Sequence, residues 1–421
     1  MLALRLVCLL VFLVRTGEMS PPASAQGLPT VAPFRFEKAW QHRARVPVVL
    51  QRNLLVISGK LNSYGPFNFL LDTGVGTSII TSAALADSLK LRHGEKYRVV
   101  GAGGADTGLL AYQTDSVHVS LPGVEARHMT WLVLSEDVLN LSGYVGVPIH
   151  GIIGSELFRS FVVTLRPEEG WLRLDEPAAF RAPKGRRWAS IPLALERGKA
   201  YFTAPAILND SLTLPLKLVL DTGASHALSL ELDSDPRLVA PTQRLPTDLG
   251  QGLTGVVKGY LGRVPALQIG RFRLPAVLTS FPNSSDVHQR IDVPRNGNVG
   301  YELLKRFRLV IDYPHQRMLL RPNVNFHDAF EHDMSGLDLL AVGPNYRRFL
   351  VLSVMPGSPA AAGGVEIDEE LISINFLPVS ALSLTQLSQL LRSQDGRTLL
   401  LLLRRPDGDL HSTTIRLKRP I

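Results

Sequence analysis

Two stretches of the sequence indicate the fold: FLLDTGVGTS at residues 69–78 and LVLDTGASHA at residues 218–227. Each carries an apolar run into the tripeptide Asp-Thr-Gly, with aspartates at Asp72 and Asp221. A third copy places Asp106 after glycines and an alanine instead of after an apolar run. Only the first two copies therefore predict a buried β-strand that ends in a carboxylate.

The two tripeptides belong to a longer repeat. In each half, two predicted strands joined by a polar turn precede the aspartate. Further along, GSELFRSFVVTL at residues 154–165 parallels GYELLKRFRLVI at residues 300–311, so that Glu156 matches Glu302. A mainly β fold made of two duplicated lobes is the simplest account. The predicted lobes are lobe 1, residues 46–180, and lobe 2, residues 190–322.

The duplication gives the aspartates a chemical interpretation. A carboxylate at the end of a buried strand is costly unless its charge is used or satisfied. Two duplicated lobes can pair about a pseudo-twofold axis and bring two carboxylates face to face. Such a pair shares one proton, because like charges a few ångströms apart cannot both ionise freely. We therefore predict that Asp72 and Asp221 activate a water and protonate a carbonyl oxygen, without metal or cofactor.

At these residues the sequence resembles the pepsin-like and retroviral-type aspartic peptidases in a single-chain, two-lobed form. The shared signature is two hydrophobic residues before Asp-Thr-Gly, followed later by GIIG at residues 151–154 and NVG at residues 298–300. The resemblance implies retropepsin-like β-barrel lobes and a catalytic pair of Asp72 and Asp221. Asn298 departs from the pattern, since an apolar residue is usual there.

The resemblance also implies how the pair is supported. Thr73 and Thr222 would tie the lobes together by crossed hydrogen bonds. Gly74 and Gly223 would support the carboxylates through their backbone N–H groups.

A glycine-rich segment about thirty residues after Asp72 corresponds, by the resemblance, to a mobile hairpin over the cleft. Its predicted flap residues are Gly101, Gly103 and Gly104. We interpret Asp106 as part of this flap or loop and not as a catalyst.

The remainder of the chain, residues 330–421, is called the C-terminal domain. It contains a PGSPA turn at residues 356–360, a predicted strand LISIN at residues 371–375 and a predicted helix with apolar spacing at Leu384, Leu387, Leu390 and Leu391. In these parts it resembles a bacterial PDZ domain. PDZ grooves take an extended peptide as an added strand and capture its terminal carboxylate with backbone amides. By position, Ser335, Gly336 and Leu337 are the predicted peptide-binding residues, with peptide C-termini as partners. The alternative is a packing module that never binds peptide.

The N-terminus has the pattern of an export signal over residues 1–25. A short apolar run after Arg5 precedes Ala23-Ser24-Ala25, a small-residue cleavage site. Cys8, the only cysteine, lies inside this segment, which favours a bacterial periplasmic or secreted protein without disulfides. Two alternatives stay open: an uncleaved signal that anchors the protein in the membrane, and a short propeptide over residues 26–45.

Charge and metal-ligand patterns exclude other classes of function. The 421-residue chain has 45 Lys and Arg against 37 Asp and Glu, a net charge of +8. Its basic residues are scattered in short pieces, so no nucleic-acid partner is predicted. His226 has no second histidine at ligand spacing, so no metal site is predicted. We expect a monomer whose partners are protein or peptide substrates.

Three functions remain after these exclusions. The favoured one is an exported aspartic endopeptidase whose PDZ domain recruits or positions protein substrates. The alternatives are a non-catalytic peptide-binding protein and an envelope scaffold that assembles through PDZ contacts. Val75 and Ala224, the residues after the two tripeptides, lack a hydroxyl that could bond the carboxylates, which predicts activity reaching towards weakly acidic or neutral pH.

Overall fold

The computed structural model of the chain describes residues 12–15, 33–103, 109–253, 255–287 and 293–421. Over these ranges the protein is mainly β, which confirms the predicted fold class, and its strands form three sheets. Within the same ranges, no helix is long and apolar enough to cross a membrane.

Lobe 1 is built of mostly antiparallel strands with short helices between them. Its strands are β1 (Phe12–Arg15), β2 (Phe34–Phe36), β3 (Arg43–Gln51), β4 (Leu54–Leu61), β5 (Tyr64–Leu71), β6 (Ile79–Ile80), β7 (Lys96–Val100), β8 (Leu109–Leu121), β9 (Val124–Leu134), β10 (Gly151–Ile153), β11 (Val162–Arg166) and β12 (Trp171–Asp175). Its helices are α1 (Ala83–Ser88), α2 (Leu141–Val145) and α3 (Glu156–Ser160). Since β2 pairs with β9 and β3 pairs with β12, the lobe begins before residue 46.

Lobe 2 repeats much of this plan. Its strands are β13 (Ala189–Pro192), β14 (Ala194–Glu196), β15 (Lys199–Ile207), β16 (Thr213–Leu220), β17 (Leu228–Leu230), β18 (Arg244–Gly252), β19 (Gly255–Ile269), β20 (Phe272–Pro282), β21 (Gly297–Val299), β22 (Phe307–Asp312) and β23 (Arg317–Pro322). Its helices are α4 (Ser284–Val287) and α5 (Tyr301–Leu304).

The strands that lead into the two aspartates are covered on both faces. Residues 69–71 at the end of β5 are all buried, and residues 218–220 at the end of β16 are buried as well. A parallel neighbour, β10 in lobe 1 and β21 in lobe 2, runs beside each of them. Burial on both faces explains why these segments are continuous apolar runs and not alternating patterns.

The lobes are joined by strands as well as by side chains. β11 of lobe 1 pairs antiparallel with β22 of lobe 2, and the order β3-β12-β11-β22-β23-β13 continues across the junction. The terminal β patterns of both repeats thus form one shared sheet, which fixes the lobes relative to each other.

The C-terminal domain is a separate sheet with two helices and its own apolar core. Its strands are β24 (Leu337–Val342), β25 (Arg348–Val354), β26 (Glu370–Ile374), β27 (Leu377–Pro378), β28 (Thr398–Arg404) and β29 (Leu410–Arg416), and its helices are α6 (Pro359–Ala362) and α7 (Leu384–Leu391). Ser383 and Gln386 form a capping box at the start of α7. β24 is an edge strand, paired only with β25.

Candidate active site

The structure brings Asp72 and Asp221 together at the junction of the lobes. Asp72 follows β5, and its N–H donates to the carbonyl of Ile153 at 2.9 Å. Asp221 follows β16, and its N–H donates to the carbonyl of Val299 at 3.0 Å. The two aspartates are only 1% and 0% exposed, so both carboxyl groups lie in the interior at equivalent positions of the repeat.

Crossed threonine hydrogen bonds tie the two aspartate turns to each other. The Thr73 N–H donates to Oγ1 of Thr222 at 3.1 Å, and the Thr222 N–H donates to Oγ1 of Thr73 at 3.0 Å. Each hydroxyl then donates to a carbonyl of the opposite lobe, Thr73 to Leu220 at 2.6 Å and Thr222 to Leu71 at 2.9 Å. Each hydroxyl donates one hydrogen bond and accepts one across the lobe boundary, which makes the turns one rigid unit.

Each carboxylate also accepts a hydrogen bond from the glycine of its own tripeptide. The Gly74 N–H donates to Oδ1 of Asp72 at 2.6 Å, and the Gly223 N–H donates to Oδ1 of Asp221 at 3.1 Å. Burial and the adjacent Asp221 carboxylate, with which Asp72 shares a hydrogen bond, raise the pKa of Asp72 well above its usual range. Two carboxyl groups in this arrangement hold one proton between them.

Asn298, which departs from the expected apolar pattern, does not disturb the supporting loop. β21 still pairs parallel with β16, as β10 does with β5. The Asn298 side chain points into the site and donates from Nδ2 to Oδ2 of Asp221 at 2.9 Å. An amide in place of an aliphatic side chain therefore adds a donor that only one of the two carboxylates receives.

Of the predicted flap residues, Gly103 lies against lobe 2. The Gly103 N–H donates to the carbonyl of Asp286 at 3.2 Å, and Ala102 is buried among lobe 2 side chains such as Leu249 and Val257. Gly101 begins this segment directly after β7. Gly104 and Asp106 lie outside the described residues, so the flap function of the segment stays a prediction.

Sequence reasoning missed a matching hairpin in lobe 2, formed by β18 and β19. A Cβ on Gly252 would lie 2.0 Å from the carbonyl oxygen of Ala102, so only glycine allows this approach of two backbones. Leu253 in turn is buried in the lobe 1 cluster that contains Val75. The signal was present in the sequence, because Gly250 and Gly252 follow Asp221 at the same spacing as Gly101 and Gly103 follow Asp72.

In the C-terminal domain, two of the three predicted peptide-binding residues, Ser335 and Gly336, form the loop that leads into β24, and Leu337 is the first residue of that strand. The N–H groups of Ser335 and Gly336 donate to Oδ1 of Asp333 at 2.9 and 2.7 Å. The Leu337 N–H donates to Oγ of Ser335 at 3.1 Å. Burial raises the pKa of Asp333 to about 6, against the effect of the donors around it. Asp333 was not predicted, although an aspartate before Ser-Gly is a typical start of such a turn.

Metal-ligating side chains do not cluster in the part of the chain that the structure describes: no group of three or more could hold an ion there. His226, next to the second tripeptide, is 1% exposed and packs in the interior.

The family comparisons agree with this architecture. Residues 57–157 match the family described as "Aspartyl protease", and residues 350–405 match the family described as "PDZ domain". The chain carries an aspartyl protease domain and a C-terminal PDZ domain. The aspartyl protease match includes Asp72 but ends before Asp221, so the pairing of the two aspartates is a feature of the tertiary structure. No curated protein matches the sequence.

Two solved structures are similar to parts of this chain. The crystal structure of basic 7S globulin from soybean matches over 68% of this chain and 97% of its own, with 9% identity and a TM-score of 0.42. The photosystem II D1 C-terminal processing protease matches over 20% of this chain and 22% of its own, with 23% identity and a TM-score of 0.19.

Proposed function

We propose that the protein is an exported aspartic endopeptidase that hydrolyses peptide bonds with a water molecule activated by Asp72 and Asp221. The observation that supports this most is the buried pair itself: two carboxyl groups that share a hydrogen bond at a lobe junction fixed by crossed threonines. Such a rigid site provides acid and base without a reorganisation step.

The reaction needs one ionised and one protonated carboxyl group. The ionised group takes a proton from water as the water oxygen attacks the carbonyl carbon of the scissile bond, while the protonated group gives its proton to the carbonyl oxygen. The tetrahedral intermediate then loses the C–N bond. As that bond breaks, the protonated carboxyl group gives its proton to the amine nitrogen, and the ionised one takes a proton from a hydroxyl of the intermediate. The products are a carboxylic acid and an amine, and the pair again holds a single shared proton.

The surroundings of the pair support activity at weakly acidic to neutral pH. Val75 and Ala224, both fully buried, offer no hydroxyl to the carboxylates. The raised pKa of Asp72 keeps one proton on the pair well above the usual range of an aspartate. A pH profile of kcat/KM measures this directly, and a profile confined below about pH 3 would contradict it.

Export and substrate recruitment are further parts of the proposal. Export rests on the signal pattern of residues 1–25 and predicts a mature chain that begins at Gln26 and so lacks β1 (Phe12–Arg15). N-terminal sequencing of protein from the cell envelope tests this. Recruitment by the C-terminal domain rests on its membership of a class that binds peptides. Its groove, however, already contacts lobe 1.

The deciding experiment is cleavage of a denatured protein by the purified chain and by its Asp72→Asn variant. We expect cleavage by the wild type and loss of cleavage in the variant at unchanged thermal stability. Cleavage that survives in Asp72→Asn would contradict the catalytic role of Asp72. Absence of cleavage in both proteins over the whole pH range would favour the non-catalytic peptide-binding or scaffold hypothesis.

A further inference from the structure

The peptide-binding side of the C-terminal domain faces lobe 1. An extended peptide would pair with the free edge of β24, between that strand and α7. Helix α2 of lobe 1 lies along this strand instead: a Cβ on Gly143 would be 2.8 Å from Cδ1 of Leu340. Likewise, a Cβ on Gly146 would be 2.8 Å from Cβ of Leu384, the first residue of α7. The end of α2 therefore approaches both walls of the groove.

Polar contacts hold this arrangement from the α7 side. The Arg52 N–H donates to Oγ1 of Thr385 at 3.0 Å, and the same hydroxyl donates to Oε1 of Gln51 at 2.6 Å. The Arg52 guanidinium also lies 4.0 Å from the buried carboxylate of Asp338 in β24. The turn between β3 and β4 thus bridges the two walls, and a cavity of about 300 Å³ remains beneath it.

The amides that would capture a peptide's terminal carboxylate are also engaged. Two of them, at Ser335 and Gly336, donate to the Asp333 carboxylate, and the third, at Leu337, donates to the Ser335 hydroxyl. Asp333 thus offers the loop the same chemical group that a peptide C-terminus would offer.

We propose that the groove of the C-terminal domain is an intramolecular docking surface for lobe 1, with the Asp333 carboxylate in the place of a peptide's terminal carboxylate. The partner is the surface formed by the β3–β4 turn and α2. Docking fixes the C-terminal domain on the peptidase lobes, and a free peptide C-terminus can enter only if Asp333 and α2 leave. The proposal does not depend on peptidase activity.

The test compares the full chain with a variant altered only on the C-terminal side, Leu340→Glu with Thr385→Ala. Hydrogen–deuterium exchange of residues 333–342 reports the edge of β24. We expect slow exchange in the wild type and at least about tenfold faster exchange in the variant, because the contact with α2 and both Thr385 hydrogen bonds are lost. Unchanged exchange in a folded variant would overturn the proposal.

A peptide pool supplies the second measurement: random hexapeptides with a free carboxylate, and the same pool amidated. The wild type is expected to bind both pools alike, whereas the loosened variant that also carries Asp333→Asn is expected to prefer the free pool. Asp407→Ala is the matched control, because Asp407 also accepts an N–H two residues on, from Asp409, in an exposed turn. About tenfold tighter binding of the free pool by the wild type would show an open groove and overturn the proposal.

A second inference concerns the two carboxylates and rests on the proposed function. Asp221 receives donors on both oxygens, the Gly223 N–H on Oδ1 and the Asn298 amide on Oδ2. The residue of lobe 1 that lies at the same place before its loop glycine is Ile152, which is apolar and fully buried. Asp72 accepts a hydrogen bond from the N–H of Gly74 and shares one with the Asp221 carboxyl group.

Donors to a carboxylate favour its ionised form. We infer that Asn298 is a positioning residue that keeps Asp221 as the ionised member of the pair, so that Asp221 takes the proton from water and Asp72 protonates the carbonyl oxygen. Two other titratable groups act on the pair: Lys199 of β15, which opposes the raised pKa of Asp72, and Tyr313 after β22. Lys199 acts in the opposite direction to Asn298, because it favours ionisation of Asp72.

The test is Asn298→Ile, which gives lobe 2 the residue that lobe 1 has. We expect kcat to fall about ten- to a hundredfold with little change in KM, and the acidic limb of the kcat/KM profile to rise by about one pH unit. Adding Ile152→Asn moves the donor to the Asp72 side and is expected to recover part of kcat. Thermal unfolding of each variant shows whether it is folded.

Carbon-13 NMR of aspartate-labelled protein separates this inference from the proposed activity. The titration of the pair is expected to move upward in Asn298→Ile even if no substrate is cleaved. A pH profile and a titration that both stay in place would overturn the role of Asn298, whereas an absence of turnover with a shifted titration would overturn only the peptidase function.

Discussion

The two lobes hold their aspartates in the same way and support the surrounding loops differently. Glu156 and Glu302 occupy the same position of the repeat. In lobe 1, Glu156 accepts the N–H and the hydroxyl of Ser78 at 2.8 and 3.0 Å, within the loop that follows Asp72. In lobe 2, Glu302 accepts from Asn53 of lobe 1 at 2.6 Å and from Lys305 at 2.7 Å.

The difference follows from one side chain. Ser78 and Ala227 lie at the same distance after Asp72 and Asp221, but Ala227 has no hydroxyl. Without that partner, Glu302 joins cations at the junction of lobe 1, lobe 2 and the C-terminal domain, where Arg392 lies 3.7 Å away. A duplicated residue thus supports a local loop in one lobe and a domain junction in the other.

The pKa shifts of the two glutamates have opposite signs. Burial raises the pKa of Glu156, and the Arg159 charge and the Ser78 donors oppose this only in part. Burial would raise the pKa of Glu302 too, but Lys305, Arg392 and Arg306 outweigh it and hold the pKa at about 2. The same residue in the same fold therefore responds to pH according to the charges that pack around it.

The largest loss of turnover is expected from changing the two aspartates, which the lobes hold in similar ways. Asp72→Asn and Asp221→Asn should each lower turnover by several orders of magnitude, because each removes one half of an acid–base pair. The double variant should be little worse than either single variant, since the two groups act as a unit. Single-turnover rates on one peptide measure all three proteins.

Asp106→Asn is the control for this pair of substitutions. It changes the third Asp-Thr-Gly and should leave the chemical step nearly intact. Substantial turnover in Asp221→Asn, or complete loss in a folded Asp106→Asn, would show that the wrong aspartates have been paired.

A smaller and unequal effect is expected from the two supporting glycines. A Cβ on Gly223 would lie 2.1 Å from the carboxyl carbon of Asp72, whereas a Cβ on Gly74 would lie 3.0 Å from the nearest oxygen of Asp221. Gly223→Ala must displace a catalytic carboxyl group and should cost about a hundredfold in kcat. Gly74→Ala should cost clearly less, and equal losses would contradict the geometry.

The next prediction compares how Glu302 and Glu156 contribute to the free energy of unfolding. The folded pKa of Glu302, about 2, lies below the usual 4.5, so its contribution is complete above pH 4.5 and is lost as the pH falls through 2. Glu302→Gln should lower the free energy of unfolding by about 3 kcal/mol at pH 7, because it leaves buried cations without their partner. Denaturant unfolding of the wild type and of Glu302→Gln at pH 7 and near pH 2 measures this loss. The difference in unfolding free energy between the two proteins should nearly vanish at the lower pH.

The smallest effect is expected at the equivalent residue of lobe 1. The pKa of Glu156 is raised, so its contribution is present below its usual pKa and is lost as the pH rises through the folded value. Glu156→Gln keeps an acceptor for the Ser78 N–H and should change the free energy of unfolding by less than about 1 kcal/mol at pH 7. A loss as large as that of Glu302→Gln would mean that the lobes do not differ in this way.

The sequence alone predicted the features that depend on local pattern. Apolar runs before Asp72 and Asp221 predicted buried strands because a strand covered on both faces needs no polar residue. The repeat predicted two lobes, and the helical spacing of leucines predicted α7, which the structure has at Leu384–Leu391. The aspartyl protease and PDZ resemblance is confirmed by the family matches.

Contacts between distant segments could not be obtained from these patterns. The hydrogen bond of Asn298 to Asp221, the approach of Gly252 to Ala102 and the docking of α2 on β24 each join residues far apart in the chain. The local sequence pattern predicts which side chains a strand or helix exposes on each face. Which partner such a side chain contacts depends on how the lobes and the C-terminal domain pack together. For this reason Asn298 was an irregularity in the sequence and a hydrogen-bond donor in the fold.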